Sequence, residues 1–167
     1  MKRFEGKQAR FCRCFDGAQK FMNEEKGESW VMDEGELDNG LPFTLRFRED
    51  LPDEGDLKKL TTLIVVSWVY DSENGTGMPT DEELNRMEAF ENLMDDALVE
   101  KGTARLMTVF TGEGIREWQF YTDDEDFFME KFNEALNEQP VLPLEIDAFE
   151  DENWDAYNDL TGLGIQE

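Results

Sequence analysis

The sequence predicts an α+β protein whose body is a β-α-β-β-α-β run between Thr62 and Tyr157. Three observations carry this reading. Thr62 to Tyr70 is almost continuously apolar and β-branched, helices open on capping signals at Thr80 and Thr122, and Gly112-Glu113-Gly114 separates two apolar strands. Two split β-α-β units around a hairpin make the ferredoxin-like arrangement, with right-handed crossovers placing both helices on one face of an antiparallel sheet. The other face is then free, and residues 1–50 are expected to cover part of it. An N-terminal strand/helix extension and a short C-terminal helix complete the chain.

The first 26 residues support two readings. Phe11, Phe15, Ala18 and Met22 recur at helical spacing, and Asp16 can cap a helix running toward Glu25, whereas Ala9 to Phe15 also alternates as a short strand. A helix is expected in the second half. Ser29 to Glu36 and Leu41 to Arg48 read as extended segments joined by Asp38-Asn39-Gly40, whose residues tolerate positive φ. Residues 49–59 form a charged connector, and Thr62 to Tyr70 a central strand.

After the Gly-rich loop Asp71 to Met78, Thr80-Asp-Glu-Glu83 forms a capping box. Leu84, Met87, Phe90, Met94 and Ala97 make one apolar stripe, which Gly102 ends. Ala104 to Thr111 and Ile115 to Tyr121 pair as a hairpin. Thr122-Asp-Asp-Glu125 is a second capping box, opening a helix that turns Phe128, Phe132, Ala135 and Leu136 to the sheet. Leu142, Leu144, Ile146 and Ala148 alternate in the last strand, and Pro143 suits an edge. Asp151 caps a terminal helix bearing Trp154, Tyr157 and Leu160. Residues 1–59 are thus an extension (basic arm and hairpin) packed on a body, 60–167, in one compact unit.

Composition bounds the function. An apolar share of 39% with 12% aromatic supports a real core. The net charge of -25 repels nucleic acid and anionic lipid and attracts basic proteins and cations. Solubility or an acidic host proteome would also account for it. The charge is uneven: residues 1–26 hold seven bases against four acids, and no Lys or Arg follows Lys131. Cys12 and Cys14 are too close for an unstrained disulfide, and without histidine they cannot complete a zinc site in one chain. They read as reduced thiols of a cytoplasmic protein. No apolar stretch is long enough to suggest a signal peptide or a membrane span.

Trp68-x-Tyr70, Gly77-Met-Pro79, Thr111-Gly-x-Gly-x-Arg116-Glu-Trp118-x-Phe-Tyr121 and Asp151-x-x-Trp154-x-x-Tyr157 resemble a largely bacterial family known as domain of unknown function 695. The resemblance covers roughly residues 60–160. It implies similarity in fold to the protein regulator of ribonuclease E activity B, a small acidic inhibitor. It implies no activity, because the family has none assigned.

Candidate interaction residues are Tyr70, Arg116, Trp118, Tyr121, Asp151, Trp154 and Tyr157. The aromatics could surround the Arg116 guanidinium, whose planar fork suits carboxylate or phosphate. Alternatively, Arg116 pairs with an acid and the aromatics are core. Asp71-x-Glu73-x-Gly75 echoes a calcium loop but lacks the glycine and ligand spacing required. Neither a catalytic residue, a cofactor nor a metal is assigned. The expected function is a regulatory or protein-interaction module, non-catalytic, that docks its acidic surface on a basic, nucleic-acid-binding protein. It would bind neither nucleic acid directly nor membrane, and its oligomeric state is open. The alternative is a small-molecule-binding or enzymatic domain using the sheet face and Arg116.

Overall fold

A computed structural model describes residues 11–12, 19–23, 28–72 and 75–162, the side chains from residue 30 onward. Six strands form one antiparallel sheet: β3 (Glu28–Leu37), β4 (Pro42–Arg48), β5 (Thr62–Val69), β6 (Ala104–Gly112), β7 (Ile115–Thr122) and β8 (Leu144–Glu150). Their spatial order is β3-β4-β6-β7-β5-β8, and two short strands, β1 (Phe11–Cys12) and β2 (Gln19–Asn23), both pair with β3. Among the described residues there are four α-helices: α1 (Glu54–Lys59), α2 (Asp81–Met94), α3 (Glu125–Leu136) and α4 (Asp155–Thr161).

Several expectations are corrected here. The described part of residues 1–50 does not cover the second face of the sheet. It widens the sheet instead, because β4 hydrogen-bonds the edge of β6 from Phe43↔Gly112 to Phe47↔Thr108. Residues 19–23 are a strand rather than part of a helix, since the edge of β3 offers backbone partners that outweigh a weak helical spacing. The rest of that expected helix, and Phe15, lie outside the described residues. The charged connector contains α1: the Asp53 carboxylate accepts from the Asp56 N–H at 2.9 Å, and Lys58 and Lys59 close the last turn.

The first expected capping box is half right, and the second gives way to a different cap. Thr80 caps α2 by accepting the Glu83 N–H at 3.2 Å, but the Glu83 carboxylate turns to the Trp68 indole N–H at 2.7 Å. α3 is capped by Asp124, which accepts the Phe127 N–H at 3.0 Å. Thr122 is the last residue of β7, and its buried hydroxyl donates to the Thr103 carbonyl at 2.7 Å. α2 ends in a single π turn, Asp95–Val99, before Gly102 reverses the chain at φ 76°.

Strand alternation divides the core into two layers. Ile64, Val66, Trp68, Trp118 and Phe120 pack beneath Met87, Phe90 and Met94 of α2 and Phe128 and Phe132 of α3. On the opposite face, Leu63, Val65 and Tyr121 pack with Trp154 and Tyr157 around α4 and Leu57 of α1. Val31, Phe43, Leu45, Phe47 and Phe110 extend this second layer to Leu160. A register shift between Leu106 and Thr108 inserts Met107, fully buried, into the Tyr121 cluster.

The β6–β7 turn is a two-residue reversal with positive φ at Glu113 (51°) and Gly114 (78°). The loop after β5 is fastened to it. Gly114 N–H donates to the Gly77 carbonyl at 2.9 Å, the Tyr70 hydroxyl donates to the same carbonyl at 2.6 Å, and Tyr70 N–H donates to Gly114 O at 2.9 Å. A Cβ on Gly77 would lie 2.8 Å from the Glu113 nitrogen, at a φ of +79°. Gly102 has a similar φ with nothing near its missing Cβ. Gly77→Ala should therefore cost about 3 kcal/mol in denaturant unfolding, combining strain and overpacking, and Gly102→Ala about 1 kcal/mol. Equal losses at the two positions would contradict the close approach of loop and hairpin.

Candidate functional site

The residues singled out by the sequence lie on or around β7, and the pleat separates them. Arg116, Trp118 and Phe120 face α2 and α3, whereas Glu117, Gln119 and Tyr121 face α4. Two polar assemblies result, back to back.

The assembly on the α4 side is a latch. Asp151 is buried, and its carboxylate accepts from Asp155 N–H at 2.8 Å, Ala156 N–H at 3.1 Å and the Tyr121 hydroxyl at 2.7 Å. It therefore caps α4 from outside the helix while anchoring it to β7. Trp154 holds a left-handed backbone (φ 57°) and stacks on Tyr121 at 3.9 Å and 6° between planes, with its indole N–H donated to Leu60 O at 2.8 Å. The Tyr157 hydroxyl donates to Arg48 O at the end of β4. Trp118, Tyr121, Trp154 and Tyr157 are all at most 1% exposed. Their rings are core, so they cannot serve as surface anchors, and the expected ring of aromatics around Arg116 reduces to Trp118.

The assembly on the α2 side is built from charges. Glu91 accepts the Trp118 indole N–H at 2.8 Å and pairs with the Arg46 guanidinium at 2.5 Å. Glu83 accepts the Trp68 indole N–H and pairs with Arg86 at 3.2 Å. Arg46 lies over the Trp30 ring at 4.8 Å and Arg86 over Trp68 at 5.3 Å. Arg116 sits beside them with its Nε donating to Thr111 Oγ1 at 2.8 Å and its guanidinium 6.0 Å from the Trp118 ring centroid. Burial pushes its pKa down, opposed by the negative charge of Glu91. Glu83, Glu91 and Arg46 were not legible as site residues, since no motif marks them.

The sequence profile of a family of unknown function, DUF695, matches residues 28–161, from β3 to the end of α4. The chain belongs to the DUF695 family. No curated protein and no solved structure matches it. The DUF695 match spans both assemblies, so the latch and the arginine row both fall within the family region.

A cleft of about 760 Å³ opens at the other end of this DUF695 sheet, lined by Arg48, Arg105, Lys59, Asp95, Glu100 and Asp123 among others. Asp50 holds both arginines: Arg48 pairs with its carboxylate at 2.5 Å, and Arg105 reaches its carbonyl at 3.3 Å. The lining comes from separate segments without a common motif, which is why the sequence did not reveal it. Asp95, Asp96 and Glu100, on the π turn, are the one group of carboxylates among the described residues close enough to share a cation. Residues 73–74 of the calcium-like loop lie outside the described residues. Among these residues, no helix is long and apolar enough to cross a membrane.

All three tyrosines of the chain are buried: Tyr70 is 7% exposed, and Tyr121 and Tyr157 are fully enclosed. Burial raises the pKa of each, reinforced by Asp151 at Tyr121 and by Asp50 at Tyr157, while Arg116 opposes the rise at Tyr70. Folded pKa values above the unfolded value leave stability intact below about pH 10 and remove it above, where only the unfolded state loses its protons. The tyrosines alone should then reduce stability by about 4 kcal/mol per pH unit. Phenolate absorbance should appear in one step coincident with loss of circular dichroism. A tyrosine titrating near pH 10 in the folded protein would contradict its enclosure.

Proposed function

We propose that this DUF695 protein is a non-catalytic interaction module that binds a basic protein through its carboxylate-covered surface. The observation that carries this reading is the distribution of charge. Asp81 and Glu82 at the start of α2, and Asp123 to Asp126 at the start of α3, are exposed, while Arg46, Arg48, Arg86 and Arg105 are already paired within the chain. Acids at helix N-termini are favoured by the macrodipole, so these clusters cost the fold little. What remains outward is a strongly negative field, complementary to a basic, nucleic-acid-binding partner whose phosphate ligands it would imitate.

The buried aromatics leave the contact to electrostatics rather than to ring anchors. Asp151, a buried carboxylate, is committed to α4 and Tyr121. The run from β5 to β8 with α2 and α3 is best read as a ferredoxin-like unit that β3 and β4 widen. Blocking a partner in the cytoplasm is the role that fits a small domain with this charge and no histidine.

The test is affinity capture from host lysate with wild-type protein and two variants, Asp81→Asn/Glu82→Gln and Asp123→Asn/Glu125→Gln/Asp126→Asn. A basic protein should be held at about 50 mM salt and released by about 300 mM, as screening shortens the reach of exposed charges. At least one variant should lose it at low salt. Retention indifferent to salt and to both variants, or no specific retention at low salt, would overturn the reading.

A further inference from the structure

Among the five arginines whose side chains are described, Arg116 is the one without an ion pair, in a chain carrying 41 acids. Among the described residues, its side chain makes one hydrogen bond, to Thr111, a residue 1% exposed and therefore a fixed anchor for Nε. The two amino groups of its fork have no protein partner among the described residues. Arg116 is only partly buried, so its fork is open to water and to a dissolved anion.

We propose that Arg116 is the recognition point of a binding site for a small monoanionic carboxylic acid, on the sheet face beside α2. Register places Thr44, Thr111 and Arg116 side by side on β4, β6 and β7, with Arg46 one step along the same face of β4. Glu91 is the acid whose charge most affects Arg116. Its Oε1 is held by the Trp118 indole and by Arg46, and it forms no ion pair with Arg116. The charges in closest play are Arg46, Arg116 and Glu91, with Glu88 adding a weaker negative influence, so the site matches a monoanion better than a dianion. The planar fork matches the two oxygens of a carboxylate. A phosphate dianion would overcompensate the site and meet more repulsion from the surrounding acidic field. Thr44, partly exposed and next to Thr111 in register, is placed to offer its hydroxyl to a polar group of the same acid.

The experiment follows the arginine Nε–H signals by two-dimensional NMR while sodium acetate, sodium benzoate and inorganic phosphate are titrated separately at constant ionic strength. The Arg116 signal should shift saturably with acetate or benzoate, with Kd in the millimolar range. Arg116→Lys keeps the charge but loses the fork, so an acid that still perturbs the Trp118 indole signal in wild type should bind it at least about tenfold more weakly. Glu91→Gln, which keeps an acceptor for Trp118 while removing a negative charge, should bind it more tightly. No saturable shift of Arg116 up to about 100 mM of either carboxylate, or equal binding by Arg116→Lys, would overturn the proposal. Tighter binding of phosphate than of both carboxylates would overturn the assigned ligand class. The wild-type titration decides even if a variant fails to fold, and because the probes are anions its outcome is independent of any basic partner.

Discussion

Self-repulsion is the constraint around which this chain is arranged. A net charge of -25 on 167 residues opposes compaction at every contact between acidic segments. The fold answers by turning three of the carboxylates beside the core into acceptors for aromatic donors. Trp68 donates to Glu83, Trp118 to Glu91 and Tyr121 to Asp151. Each bond to an ionised acceptor is stronger than a neutral one, and each donor ring is itself fully buried. The same side chain thus supplies apolar area to the core and a local partner for a charge that would otherwise oppose folding.

This device explains why the two layers are built differently. Toward α2, the indole-bound glutamates also carry arginines, so the rim of that layer is ionic. Toward α4, Asp151 has no arginine; it receives two backbone N–H groups and a phenol, and it terminates a helix rather than bridging two elements by charge. The left-handed backbone of Trp154 is strained for a bulky residue. It persists because stacking on Tyr121 and the bond to Leu60 O fix the indole from two sides. Removing the latch would therefore free α4, the α1–β5 joint and the end of β4 together.

Much of the architecture was legible because its signals are local. The β-branched run of β5, the Gly112–Gly114 reversal and the apolar stripe of α2 are each written within a dozen residues. What could not be read is pairing at a distance. Nothing in Phe43 to Phe47 says that these residues join β6 instead of lying across the sheet, and the strand at Gln19–Asn23 exists only because β3 leaves an edge beside it. The caps moved for a similar reason: Glu83 and Thr122 could close their boxes, but tertiary partners compete more strongly. One part of the site was misread against a rule available in the sequence. Arg116 and Tyr121 are five residues apart on one strand, and a period of two puts them on opposite faces.

The position of Arg116 shows how a basic site can exist inside an acidic field. Exposed charges farther apart than about 8 Å are largely screened at physiological salt, so the many surface carboxylates act on Arg116 weakly and collectively. Groups in contact act strongly. Arg46 takes up the Glu91 carboxylate at 2.5 Å and lies over Trp30, so Glu91 forms its ion pair with Arg46 and not with Arg116. Thr111 fixes Nε without contributing charge. The local field at Arg116 is therefore set mainly by Glu91 and Arg46, which oppose each other, with a smaller contribution from Glu88. Long-range charge and short-range charge can then be used for different purposes on one small domain.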